Sequence, residues 1–283
     1  MIPPRRRPFM NRTGDSQPQY LPRTLDRCHI QAMRKPVLAM LMLVAAATAI
    51  GRPAAKAGEL NFKNSLLEWH VAWPAEVSAI PLLLATIRSA AIKNRQELLT
   101  AATTEKAERG KQDYPFNGYE SSAEVSSAGQ TARLLSLTNE WFESTGGAHP
   151  NHGTSAMLWD RSLNRKIAFD NLFTNGAAGS AAVLRKVYCA ALDKERLERR
   201  GPEDKPDGNV TDDPFYQCPK FAELAIIPEG KAGRPFAKVT IHADPYVAGP
   251  YVEADYDIGL PVSSAFVAAL KPQYRASFAP AAR

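Results

Sequence analysis

Cysteine, tryptophan and histidine are scarce in this 283-residue sequence, which has three, four and five of them. Three cysteines exclude a disulfide-dense scaffold and the cysteine-rich zinc folds, which need four or more ligands from Cys and His at fixed spacing. Downstream of residue 57 there is no P-loop, no Gly-x-Gly-x-x-Gly, no His-Glu-x-x-His and no Gly-x-Ser-x-Gly. Their absence removes the nucleotide-binding, zinc-protease and nucleophile-elbow readings. Residues 37–50 form a charge-free apolar run of 14 residues, short of the roughly 20 that span a bilayer.

What is present suits a folded, exported chain. With 45% hydrophobic and 23% charged residues, the length supports one large or two small domains with a buried core. The net charge of +6 misleads, because residues 1–57 hold 10 of the 35 basic residues and 2 of the 29 acidic ones. The remainder is slightly acidic, so no nucleic-acid partner is expected, since phosphate neutralisation needs Lys and Arg on the folded part.

Residues 1–57 read as a leader. Arg34 and Lys35 precede the apolar run, and Ala55-Lys56-Ala57 fits a small-x-small cleavage site, so the sequence predicts a secretory signal from Met33 cut after Ala57. The other reading is a retained anchor. Export predicts a periplasmic or secreted protein, with no stable membrane span after processing. Cys28 falls in the leader, leaving Cys189 and Cys218 as a pair. In an oxidising compartment they form a disulfide; otherwise they are two buried thiols.

Periodicity predicts strands in 60–73, 119–125, 132–142, 154–159, 166–169, 221–227, 237–242 and 252–258. Helices are expected over 76–108, as one or as two meeting near Leu99, over 177–199, and over 263–270. Strands precede and follow single long helices, which favours an α+β fold of two subdomains, antiparallel sheets each packed by one or two long helices. The expected organisation is leader 1–57, N-terminal subdomain 58–150 and C-terminal subdomain 151–283.

Residues 144–152 (STGGAHPNH) are the densest chemical signal. Two glycines let the backbone take positive φ and present His149 as an acid, base or ligand; the plainer reading is a turn whose polar groups satisfy its own backbone. His149 and His152 lack a third ligand, and His70 and His242 are distant, so no metal and no cofactor is expected. Glu253, Asp255 and Asp257 alternate on an expected strand, which reads as a solvated acidic face. Thr211-Asp212-Asp213-Pro214 is similar to a polysaccharide-deacetylase Asp pair, but it lacks the following Gly and a His-x-x-x-His downstream.

A set of motifs carries a family resemblance. These are Ser136-Leu137, Thr145-Gly146-Gly147-Ala148-His149, Asn151, Trp159-Asp160, Asp170-Asn171-Leu172-Phe173, Ile241-His242-Ala243-Asp244-Pro245-Tyr246 and Ala248-Gly249-Pro250. Together they resemble the paired domains of unknown function shared by the extracytoplasmic part of the lysozyme-sensing anti-sigma factor RsiV and the accessory region of the peptidoglycan deacetylase PdaC. The resemblance spans most of residues 60–270 and implies an exported α+β fold facing the cell envelope. Pro150 stands where the family has Gly after the His, a change in loop flexibility.

Two functions follow as expectations. The first is a non-catalytic module binding peptidoglycan, another glycan or a lysozyme-like protein, through Thr145, Gly146, Gly147, Ala148, His149, Asn151 and Tyr246, with Trp141 and Tyr251 as further aromatics. The alternative is a small periplasmic hydrolase or deacetylase in which His149 is a general base oriented by Asp244.

Overall fold

The computed structural model describes residues 57–201, 203 and 213–281. The expected start at Met33, the apolar run 37–50, Cys28, Thr211 and Asp212 lie outside the described residues. Among the described residues no helix is long and apolar enough to cross a membrane.

Alternating burial builds the first sheet. In β2 (Leu67–Trp73), Leu67, Trp69, Val71 and Trp73 point inward while the residues between them are more exposed, the period-two pattern of a strand with one packed face. Its neighbours are β1 (Gly58–Lys63), β3 (Tyr119–Gln130), β4 (Leu134–Ser144), β5 (Asn151–Asp160) and β6 (Arg165–Ile167), hydrogen-bonded in chain order. A short helix α1 (Ala75–Ser78) and the long α2 (Pro81–Lys111) separate β2 from β3. That crossover makes β2 and β3 a parallel pair inside an otherwise antiparallel sheet, where the sequence suggested antiparallel pairing alone. A strand that returns through a helix on one face re-enters in the same direction.

α2 runs unbroken through Leu99, so of the two expectations the single helix holds. Thr86, Thr100, Thr103 and Thr104 each donate their hydroxyl to the carbonyl four residues earlier, at 2.7–3.0 Å. These bonds satisfy the hydroxyls within the helix rather than in competition with it. Leu83, Ile87, Ala91, Leu98 and Ala102 pack onto Trp69, Val71, Val125 and Leu137.

The second layer forms on the opposite face. β7 (Ala225–Glu229), β8 (Lys238–Ala243) and β9 (Tyr256–Pro261) make an antiparallel three-stranded sheet. It shares a core with α3 (Gly176–Arg200) and the short α4 (Ser264–Ala269) and α5 (Pro272–Arg275). Adjacent Leu134 and Leu135 fall into the two different cores, as alternation along one strand requires. The structure is therefore α+β with two sheets. The six-stranded sheet does not change at residue 150; it continues to Ile167, because β4 and β5 form one uninterrupted antiparallel ladder. The expected strand starts at 221 and 252 are replaced by single 3₁₀ turns, Phe221–Glu223 and Tyr251–Glu253.

The sheets meet at a bulge in β3 between Ser127 and Gly129. Gly230 N–H donates to Ala128 O at 3.1 Å and Gly233 N–H to Gln130 O at 3.0 Å. Gly129 has φ +147°, and a Cβ there would lie 2.4 Å from Gly230 O. Backbone cannot yield as a side chain does, so we expect Gly129→Ala to cost about 1–3 kcal/mol. Urea unfolding measures it, and a loss below ~0.5 kcal/mol would contradict this packing.

A disulfide joins Cys189 on α3 to Cys218. Arg185 and Arg196, on the same helix, donate to the carbonyls of Gln217, Cys218 and Pro219.

Candidate ligand-binding site

The loop between β4 and β5 supplies one wall. Gly146 adopts φ +81°, and a Cβ there would sit 3.3 Å from Arg109 Nη2. The glycine half of the loop therefore leans on the end of α2. There Arg109 pairs with Glu105 at 2.7 Å, and the Tyr119 hydroxyl donates to Glu105. Both donors hold the Glu105 carboxyl below its ordinary range. Gly147, Ala148 and His149 are exposed and Thr145 half-buried.

The other wall follows β8. Tyr246 N–H donates to Gly249 O at 2.9 Å and Val247 N–H to Asp244 O at 3.1 Å, closing a tight loop with Tyr246 at φ +69°. Ala248 is fully buried, and its carbonyl accepts from Arg196 Nε at 2.9 Å. A buried guanidinium thus fixes the loop from below, while Tyr246 stays 57% exposed above it.

The walls meet in an aromatic stack. The His149 and Tyr251 rings are stacked at 4.2 Å, Tyr246 lies 5.7 Å from Tyr251 between ring centres, and His152 meets the edge of Tyr251 at 5.8 Å. Tyr251 donates to Pro150 O at 3.2 Å. His149 Nδ1 faces the same carbonyl at 2.9 Å, and its Nε2 faces the Tyr246 hydroxyl at 3.4 Å. A carbonyl only accepts, so Nδ1 is the donor there and Nε2 is left to accept from Tyr246. Trp141 is 37% exposed and crosses Gly153, where a Cβ would come within 2.9 Å of its ring and 2.8 Å of Asp244 Oδ2. Trp141 also borders a cleft of about 310 Å³ between α2 and the sheet, in which burial pushes the Glu143 carboxyl up.

Of the residues singled out in the sequence, the structure brings His149 to Tyr246 and Tyr251. Gly146 lies against α2, and Asn151 is exposed on β5 opposite Glu143. Asp244 is not paired with His149. Its Oδ1 accepts from Thr154 N–H at 2.7 Å and faces His242 Nε2 at 2.9 Å. Among the described residues no carboxylate pairs with the His149 ring, so the orienting partner of a His149 base is missing from the arrangement.

His242, set aside in the sequence as a distant metal candidate, has carboxylate partners that the sequence did not reveal. It is buried on β8, with Nδ1 2.8 Å from Asp257 Oδ1 and Nε2 2.9 Å from Asp244 Oδ1. Burial acts against the charged imidazole, but hydrogen bonds to Asp244 and Asp257, reinforced by their charges, raise its pKa to about 9. The bond to His242 in turn holds the Asp257 carboxyl below its usual range, against its own burial. The expected solvated acidic face holds for Asp257, whose side chain is 64% exposed, and is corrected for the other two. Glu253 lies in the 3₁₀ turn and pairs with Arg200 at 2.8 Å, and Asp255 faces His152 at 3.3 Å. The signal that finds this cluster is the β8–β9 register, which sets His242 opposite Asp257.

No curated protein matches the chain. It is similar to the crystal structure of a DUF3298 family protein from Pseudomonas aeruginosa PAO1, at 18% identity and TM-score 0.45, over 80% of this chain and 95% of that one. It is also similar to a DUF3298 family member from Bacteroides fragilis NCTC 9343, at 16% identity and TM-score 0.43, over 74% of this chain and 90% of that one. The family model described as Deacetylase PdaC matches residues 60–152, from β1 through the loop that presents His149.

Proposed function

We propose that the chain is an exported, non-catalytic module of the cell envelope that binds a peptidoglycan-type glycan on the Tyr246–His149–Tyr251 surface. The observation that carries this reading is the stack itself. Tyr246 stands exposed on a loop fixed from beneath by Arg196, and the exposed His149 ring and the half-buried Tyr251 stack beside it. Sugar rings bind by laying C–H faces on aromatic rings, and side chains already held in place lose little conformational entropy on binding. The disulfide suits an oxidising compartment, in agreement with export.

Calorimetry of the chain with soluble peptidoglycan fragments tests the proposal, with lysozyme titrated in a separate arm. We expect fragment binding that Tyr246→Ala and His149→Ala each weaken at least about tenfold, a loss of ~1.4 kcal/mol, with melting temperatures unchanged. Binding indifferent to both substitutions would move the site elsewhere. Binding to lysozyme but not to fragments would replace the glycan with a protein partner, and silence in both arms would sink the proposal.

A further inference from the structure

On the far side of Asp244 lies a second feature that the aromatic surface does not use. A cleft of about 570 Å³ opens between the two sheets, bordered by Thr138 and Glu140 of β4, Thr154 of β5, Glu229 of β7, Thr240 and His242 of β8, and Asp255 and Asp257. Its charge is mostly negative. Lys238 is matched by Glu229 at 2.8 Å and Asp255 faces His152 at 3.3 Å, while Asp257 faces the buried His242 at 2.8 Å.

From this geometry we infer a divalent transition-metal site, of the class that takes Zn²⁺, with His242, Asp244 and Asp255 as its protein ligands. One ligand atom from each of the three lies within 4.8 Å of the others. Tetrahedral zinc at ~2.0–2.1 Å from each ligand needs donor atoms roughly 3.3 Å apart, so small side-chain adjustments close the set. One imidazole with two carboxylates, and a fourth position open to the cleft, is a donor set that suits zinc.

One orphaned oxygen points to a ligand independently of the acidic cluster. Thr240 is 7% exposed, stands on the same face of β8 as His242 two residues away, borders the cleft, and its buried hydroxyl has no hydrogen-bond partner. A buried polar atom without a partner is costly, and the coordinated water of a cation would engage it.

The surroundings supply the supporting shell of a metal centre. Asp257 holds His242 Nδ1 at 2.8 Å, the carboxylate–histidine arrangement that aims Nε2 at a metal. Thr154 N–H fixes the Asp244 carboxylate at 2.7 Å. Arg199 donates to the carbonyls of Glu253 and Asp255 at 2.7 and 2.8 Å, fixing the backbone from which the Asp255 side chain extends. In the metal-bound form the ion replaces the Nε2 proton that now bridges His242 and Asp244.

The test is calorimetric titration of the chain with ZnCl₂ after chelator treatment, with native mass spectrometry for stoichiometry. One Zn²⁺ per chain is expected. Asp255→Asn, nearly isosteric and half-exposed, should lose at least about tenfold in affinity, as should Asp257→Asn through the lost support of His242. Melting of each variant in chelator, matched to wild type, separates a lost ligand from a lost fold. Zinc binding that Asp255→Asn and Asp257→Asn leave intact would place the metal elsewhere and overturn the site. Absence of wild-type binding at millimolar zinc would overturn it equally.

Discussion

Replacing Asp160 with Ala should destabilise the protein by about 3–5 kcal/mol, the cost of leaving one member of a buried ion pair without its partner. Asp160 is completely buried at the end of β5. Its Oδ2 accepts from Arg133 Nε and Nη2 at 3.0 and 2.9 Å, and its Oδ1 from the backbone of Ser162 and Leu163 at 2.9 and 3.1 Å. Tyr274 of α5 bonds to the same carboxylate, and Arg133 stacks over that ring at 4.8 Å. One side chain therefore ties the β3–β4 turn, the β5–β6 turn and the C-terminal helix. Burial alone would raise its pKa, but the bonds from Leu163, Arg133 and Tyr274 outweigh burial and lower it. The sign follows: its contribution is present above the ordinary Asp range and is lost as pH falls through the depressed folded value. Guanidinium unfolding of wild type, Asp160→Ala and Asp160→Asn from pH 7 to pH 3 measures both effects. A loss under ~1 kcal/mol for Asp160→Ala would show that the network contributes little.

Reducing the disulfide is the second large effect. Cys189 and Cys218 are 29 positions apart, and closing a loop of that size restricts the unfolded chain by about 3–4 kcal/mol in the chain-entropy account. The double Cys→Ser variant should still fold, because Arg185 and Arg196 continue to hold the carbonyls of residues 217–219. Its denaturation midpoint should fall by the corresponding amount. Equal midpoints with and without reductant would mean that the arginine contacts alone determine the position of this segment.

Both long helices were legible because their inward residues recur at helical spacing; Leu184, Tyr188 and Leu192 on α3 are all buried. The strands were legible by alternation, most plainly in β2. The parallel β2–β3 pair was not, since direction depends on where α2 returns the chain, and no local pattern encodes that. At the site, Gly146-Gly147 before His149 marked the loop, because glycines adjoining a chemically active residue carry a backbone reason. His242 was opaque for the opposite reason. Its partners Asp244 and Asp257 are two and fifteen positions away, and Asp257 becomes a partner only through strand register. The acidic alternation around Asp255 looked solvated because exposure is the default for carboxylates; Asp257 is exposed as expected, and only the strand register shows that it also pairs with a buried histidine.

Residues 277–281 lie across the seam between the layers. Phe236 N–H donates to Ser277 O, Ala279 N–H to Phe236 O and Ala281 N–H to Val262 O, while the Ser277 hydroxyl meets Thr131 on the β3–β4 turn at 3.0 Å. Synthesis is vectorial, so the six-stranded sheet can assemble long before this strap exists, but its outer face has no permanent cover until β7, β8, β9 and the strap have all emerged. The native state thus waits for residues 277–281. A ribosome stalled before residue 277 would hold a protein with its larger sheet formed and its seam unsealed.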